Sequence, residues 1–292
     1  MRAKAPETPV SCHASTDTRE FIVTITKYQK HSSHGMGGLV GDLCKAIATL
    51  REEGLGKLIC DTALSLRVRA QAPFERNFDR QHNVITEGIA DLADLTIKGP
   101  NKALGSEYVP SPGRLIDHAF SRLPDDLRDY TFVDFGSGKG RVVIRAARRR
   151  FRRVVGVEFA KELYELSRKN VDAFTSTRRS HAPIDLLHCD ATELSIPDGN
   201  CVLFFYNPFR NPVMKRVLRN IETRFIDAPR KLYVIHLALA DERGNDADAN
   251  RVMLQHCDWL TQTMRVPSIA NPWIALQFGS FKLDIFESVD RS

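Results

Sequence analysis

The stretch TFVDFGSGKGRVV, residues 131–143, leaves this chain few folds to choose from. An aromatic and β-branched run suits a pleated strand; three glycines at alternate positions follow, and apolar residues then recur at helical spacing. Glycine reaches positive φ without steric cost, so GSGKG reads as a tight turn from a strand into a helix. The same alternation extends along the chain. The pattern predicts helix 113–122, strand 130–135, helix 139–149, strand 153–158, helix 160–174 and strands 184–188 and 201–206. Helix 212–224, strand 231–238 and a shorter helix 248–258 complete the series. Near the end, WIALQF and FKLDIFE flank a Gly-Ser pair, the signature of an antiparallel hairpin. Strands separated by helices force right-handed crossovers, and hence an α/β, doubly wound, mainly parallel sheet with helices on both faces.

Upstream of residue 105 the character differs. Residues 1–20 read as a disordered tail, and 21–104 as a mostly helical extension on the substrate side. FIVTITK (21–27) has strand composition, whereas 39–53 and 57–70 place apolar residues at helical spacing. GMGGLVG (35–41) has glycines but no strand before it, and reads as a loop. Residues 71–112 carry Pro73, Pro100, Pro110 and Pro112 among many apolar side chains, as expected of a segment laid across another surface.

Composition excludes several roles. No uninterrupted run of about 18 apolar residues is present to span a bilayer, and the first twenty residues lack the apolar core of a secretory signal. The six cysteines form no CxxC pair, which argues against a zinc ribbon and for reduced thiols in a cytoplasmic protein. The net charge of +6 is uneven, with Arg141, Arg145, Arg148, Arg149, Arg150, Arg152 and Arg153 in one stretch. With only Phe151 interleaved to stack on a base, these arginines are expected to decorate the exposed end of a helix rather than grip nucleic acid.

In a doubly wound sheet, ligands bind beyond the carboxyl ends of the strands. The turn after strand 130–135 is not a P-loop: Val133 stands where the first glycine belongs, and Gly140 where Ser or Thr belongs. A dinucleotide turn needs glycine at 141, where Arg141 stands. The remaining pattern is an acidic residue, Asp134, two positions before Gly136, with Ser137, Gly138 and Gly140 completing the turn. A carboxylate there repels pyrophosphate and attracts a cationic ligand.

VDFGSGKG resembles the first motif of class I S-adenosylmethionine-dependent methyltransferases. The resemblance implies a Rossmann-like seven-stranded sheet over 105–292, with an antiparallel C-terminal strand and S-adenosyl-L-methionine as cofactor. It also implies roles down the chain. Glu158, with Phe159 after it, would take the ribose hydroxyls; Asp190 and Ala191 would meet the adenine; Tyr206, Asn207, Pro208 and Phe209 would face the methyl acceptor. FDRQHNVIT (78–86) and GSEYVPSPGR (105–114) are similar to segments of a bacterial stand-alone group with the pattern FDxxHGVDT, EYxPTP, DFGSGKGR. That similarity would set Glu107, Tyr108 and Pro110 as a lid over the methionine end of the cofactor, with Asn207 also at the cofactor. The chain departs from the pattern at Asn83, where a left-handed backbone accommodates Asn in place of Gly, and at Ile85, where the pattern has Asp.

Methyl transfer from a sulfonium needs alignment more than a dedicated base. In amino methyltransferases of DNA and glutamine, an Asn-Pro-Pro-aromatic turn holds the acceptor; Asn207-Pro208-Phe209 is one proline short of it. Asn207 can accept from an amine, Phe209 can pack on a flat acceptor and Tyr206 offers a hydroxyl, the three candidate catalytic side chains. The alternative for this turn is structural, with Asn207 capping the next helix and Phe209 in the core. His236 is a minor candidate base, and no metal site is expected. The expected activity is transfer to a nitrogen or oxygen on a protein or small molecule. Amino-group methylation of nucleic acid and a degenerate cofactor-binding module are the alternatives.

Overall fold

A computed structural model describes residues 76–177, 180–239, 246–266 and 281–289. All belong to one compact unit, Arg67–Ser292. The strand and helices proposed before residue 71, and the tail and loop among them, lie outside the described residues.

The core of the unit is a seven-stranded sheet ordered β3-β2-β1-β4-β5-β7-β6. Its strands are β1 (Tyr130–Phe135), β2 (Arg153–Glu158), β3 (Ile184–His188), β4 (Asn200–Tyr206), β5 (Leu232–Leu239), β6 (Leu260–Val266) and β7 (Phe281–Ser288). The first five pair in parallel, while β7 runs antiparallel between β5 and β6. The helices are α1 (Gly113–Phe120), α2 (Arg141–Ala147), α3 (Lys161–Thr177), α4 (Asn211–Asp227) and α5 (Asp246–Gln255). The expected α/β doubly wound sheet with its antiparallel C-terminal strand is the fold observed.

Alternation along β1 explains the layering, because successive side chains of a strand point to opposite faces. Phe132 joins Val154, Val202 and Phe204 against Ile116, Val143, Ile144 and Phe174 of α1, α2 and α3. Val133 and Phe135 join Val155, Leu203 and Phe205 against Val217, Ile221 and Leu254 of α4 and α5. Both faces are covered, which is why these strands read as nearly continuous apolar runs.

Residues 273–278 lie outside the described residues; within them β7 pairs with β5 from Phe281 and with β6 from Leu283. Strand β6 was not expected, since LTQTMRV alternates only weakly and carries a register shift between Gln262 and Met264. No helix among the described residues is long and apolar enough to cross a membrane.

Strand order reverses between β1 and β4, which opens a crevice beyond their carboxyl ends. Residues 84–112 form a strap across that end. Isolated bridges join Ala90 to Tyr108, Ile97 to Ala160 and Gly105 to Phe209, so the strap is pinned to the loops after β2 and β4. Arg210 N–H donates to Leu104 O at 2.8 Å and Lys161 N–H to Thr96 O at 3.1 Å. Between 76 and 104 the helical content is small: residues 76–82 and two single turns at Leu92–Asp94 and Lys102–Leu104.

Phe132 is fully buried, with its ring edge-on to Phe120 at 5.5 Å and tilted against Phe151 at 5.2 Å. Phe132→Ala is expected to lower the unfolding free energy by about 3–5 kcal/mol, read from urea titration. A loss below about 1 kcal/mol would contradict its place at the centre of that layer.

Candidate functional site

The turn after β1 is built by its backbone. Gly136, Gly138 and Gly140 have φ of 76°, 54° and 84°, values that L side chains rarely adopt. A Cβ on Gly138 would overlap the Tyr108 ring, and one on Gly136 would come within 2.6 Å of Pro208. The N–H groups of Gly136 and Ser137 both donate to Val157 O at 2.9 Å, which ties the turn to β2.

Glu158, the last residue of β2, completes that tie. Its Oε2 accepts the Gly138 N–H and its Oε1 the Ala160 N–H, each at 2.8 Å. The side chain is 4% exposed. Burial raises its pKa to about 7 against the opposing effect of these N–H bonds. Asp134, 2% exposed, is pushed well above the usual carboxylate range by burial first and by the Glu158 charge second.

Both acids line one cavity together with Tyr108, Gly136, Ser137, Phe159, Tyr206 and Asn207. A second cavity shares Gly136, Phe159 and Pro208 and continues to Asp190, Ala191 and Phe209. Gly138 and Gly140 line neither; they shape the turn, Gly140 standing at the N-terminus of α2. Asp190 accepts the Thr192 N–H and hydroxyl and an amide N–H of Asn101, each at 2.8 Å. Burial works against its ionisation, but these bonds outweigh it and hold the carboxyl low.

The cavity pair fits a cationic nucleoside. Among the described residues, Asp134 Oδ2 and Ser137 Oγ are buried with no hydrogen-bond partner. Glu158 retains lone pairs beyond the two in use. Such a donor set suits a ligand bringing an ammonium and hydroxyls. When bound, S-adenosylmethionine supplies an electrophilic methyl; Asp134 would hold its ammonium, Glu158 its ribose and the Asp190 side its base.

The acceptor-side residues divide. Tyr206 and Asn207 line the first cavity, with the Tyr206 hydroxyl pKa raised by burial and then by Glu107. Asn207 sits at φ 40°, and its Oδ1 accepts from Asn250 Nδ2 at 3.1 Å. Phe209 is buried against Phe205 and lines the Asp190 cavity instead. Its expected stacking on an acceptor is therefore corrected: the ring is core. Asn207 does not cap α4 either, whose N-cap is Arg210. His236 is buried in β5 opposite Asp284 and lines neither cavity.

Most of the residues that hold the strap, Tyr108 excepted, escaped sequence reasoning. Asp79 Oδ2 accepts the Thr86 N–H at 2.7 Å and the Glu87 N–H at 3.2 Å, while its Oδ1 accepts the Thr86 hydroxyl. Asn170 accepts from Ile85 N–H and donates to Ile85 O and Lys139 O, at 2.8–2.9 Å. Lys139 Nζ donates to the carbonyls of Glu87 and Gly88, and the Tyr108 hydroxyl to Thr86 O at 2.6 Å. A usable signal existed for Asn170: with Ser167 it lies on the buried stripe of α3 beside Val171 and Phe174, where polar residues are unusual. Asn83 has φ 53°, the left-handed backbone its substitution for glycine required.

The arginine cluster is also corrected. Arg148, Arg149 and Arg150 are exposed, but Arg141 and Arg145 are buried. Arg145 pairs with Asp117 at 2.8 Å and lies over the Phe78 ring at 4.2 Å. Arg141 Nε donates to Thr86 Oγ1 at 2.7 Å.

Residues 132–224 match a family model described as a methyltransferase domain. Among solved structures, the chain is similar to an RNA methyltransferase from Salinibacter ruber in complex with S-adenosyl-L-homocysteine (19% identity, 63% of this chain and 98% of that one, TM-score 0.39). It is also similar to a geranyl diphosphate C-methyltransferase from Streptomyces coelicolor (14%, 62% and 79%, 0.40). A third is the magnesium protoporphyrin IX methyltransferase from Synechocystis (14%, 61% and 77%, 0.40). No curated protein matches. The matched segment contains the Asp134 turn, Glu158, Asp190 and Asn207.

A glutamate whose pKa is raised in the folded state binds a proton that the unfolded chain releases, so folding loses stability as pH rises through the interval between the two values. Relative to Glu158→Gln, the ligand-free wild type is expected to lose thermal stability from pH 4.5 to about 7, with a constant difference above that. A difference that does not vary with pH across this window would show that Glu158 keeps an ordinary pKa.

Proposed function

We propose that this domain transfers the methyl group of S-adenosylmethionine to a nitrogen or oxygen of a protein or small molecule in the cytoplasm. One observation carries the reading: two buried carboxyls, Asp134 and Glu158, line one cavity together with Tyr206 and Asn207. The acids select a cation and orient it, and the polar pair Tyr206 and Asn207 receives the acceptor. Asn207 is held by Asn250, which also donates to Phe209 O at 2.9 Å, so its amide is fixed before the acceptor arrives. Positioning of this kind lowers the barrier to an in-line displacement. Glu107, on the cavity rim beside Tyr206, favours an amine over an anionic acceptor.

Two features weigh against the alternatives. With Phe209 in the core, the Asn207 turn offers no free ring to stack on a base, which disfavours nucleic acid. Ile85 is 65% exposed and the strap uses its backbone, held by Asn170, so its replacement of an aspartate leaves the cofactor side of the site intact. The strap motifs also support membership of the stand-alone group that FDxxHGVDT and EYxPTP describe.

Calorimetry is expected to give micromolar S-adenosylhomocysteine binding, on the order of tenfold or more weaker in Asp134→Asn and Glu158→Ala. Binding of NADH in its place would overturn the cofactor reading. With methyl-labelled cofactor and cell lysate, label is expected to survive nuclease; loss on nuclease treatment would assign a nucleic-acid acceptor instead. Asn207→Ala should lower the transfer rate by roughly ten- to a hundredfold while S-adenosylhomocysteine affinity stays within a few-fold.

A further inference from the structure

Two side-chain amides beside the first cavity take their orientation from one backbone atom. Asn250 Nδ2 donates to Phe209 O at 2.9 Å and to Asn207 Oδ1 at 3.1 Å. A carbonyl oxygen only accepts, so Phe209 O requires the amide nitrogen of Asn250 on its side. Turning that amide over would set two oxygens together; the observed orientation holds although it leaves the buried Asn250 Oδ1 without a partner among the described residues. Because the same Nδ2 also donates to Asn207, the Asn207 amide is fixed in turn, with Oδ1 toward Asn250. Asn250 is 1% exposed and lines neither cavity, whereas Asn207 lines the first. The Asn207 Nδ2 hydrogens have no partner among the described residues and are the part of the amide left for an acceptor. This reverses the sequence expectation, in which Asn207 accepts from an amine.

Glu107 lies on the same cavity wall. Gly105 bridges Phe209 in antiparallel fashion and Ser106 N–H donates to Pro208 O at 3.2 Å, so the next step of that register brings Glu107 to Asn207. A carboxylate accepts a hydrogen from a hydroxyl as from an amine; the donor on Asn207 separates the two. The attacking atom must keep one lone pair for the methyl. A neutral amine nitrogen then has no pair left to take the Asn207 N–H, whereas a hydroxyl oxygen has one. A carboxylate acceptor has pairs to spare but no hydrogen for Glu107, and Asp134, Glu158 and Glu107 all line the cavity against it. We infer that the methyl acceptor is a neutral hydroxyl, of an alcohol or a phenol, whose oxygen takes a hydrogen bond from Asn207 Nδ2 and whose proton goes to Glu107. This deepens the methyltransferase reading above and rests on it. In the step, an oxygen lone pair forms the bond to the methyl carbon as the carbon–sulfur bond breaks. The electron pair of that bond stays on sulfur, giving S-adenosylhomocysteine, and the hydroxyl proton passes to the Glu107 carboxylate.

The chemistry of the product tests this without any variant. The full chain, methyl-labelled S-adenosylmethionine and cell lysate are expected to give label, above a lysate-only control, in a base-stable methyl ether identified by its O-methyl carbon and proton resonances. Filtering the lysate beforehand separates a protein hydroxyl from a small-molecule one, and either carries the inferred chemistry. Label on nitrogen, carbon or sulfur, or in a base-labile ester, overturns the hydroxyl assignment and leaves the methyltransferase reading standing. No label above the control overturns both. Asn207→Asp keeps the side-chain shape, tolerates the φ of 40° and still accepts from Asn250, but it removes the donor. That variant is expected to transfer methyl to the hydroxyl roughly tenfold or more slowly, while its S-adenosylhomocysteine affinity stays within a few-fold of wild type. Transfer within about twofold of wild type in Asn207→Asp also overturns the assignment, because an asparagine needed only for its backbone angle and its bond to Asn250 would be replaced without loss.

Discussion

The carboxylate of Glu158 is the point at which three parts of the molecule are joined. It closes β2, takes the Gly138 N–H from the turn after β1, and takes the Ala160 N–H at the start of α3. It adds to the Gly136 and Ser137 N–H bonds to Val157 O, which tie the glycine turn to the second strand through the backbone. The same group is a poor choice for stability alone. Its burial raises the free energy of its ionised form, and that of Asp134 is raised by its own burial first and by the Glu158 charge second. Perturbed carboxyls in a cleft are where function concentrates.

The strap extends this arrangement upstream. Its contacts run through Asn170 of α3, through Lys139 of the turn, through Arg141 at the start of α2 and through Tyr108 of the strap itself. Each joins a side chain to a backbone atom or to another side chain already held, so the network is satisfied from both directions. The roof and the floor of the cavity are therefore not independent. Residues about fifty positions before the glycine turn are hydrogen-bonded to the turn and to the start of α2.

Much of this was legible in the sequence, for a physical reason. The layered sheet follows from strands buried on both faces, and such strands announce themselves as apolar runs. The turn is legible because positive φ demands glycine. Asp134 and Glu158 stand out because charged residues rarely end apolar strands without a partner. Less visible was anything that depends on which atom a side chain meets. Arg141 and Arg145 are indistinguishable by sequence from Arg148–Arg150, and only the approach of Thr86, Asp117 and Phe78 separates them. Phe209 sits in a motif whose ring can face either way, and packing against Phe205 decides. Strand β6 was missed because an edge strand with a register shift lacks the period-two pattern that identifies its neighbours.

The contact between Tyr108 and Gly138 links two positions thirty residues apart in a way that constrains how the chain can change over time. Any side chain at Gly138 meets the Tyr108 ring as well as an unfavourable backbone angle. A smaller residue at 108 would remove the first obstacle and leave the second. Substitution at 138 is thus accessible only after a change at 108, whereas 108 can vary with Gly138 in place. The order of substitutions is directional, and the glycine is the slower of the two to be lost.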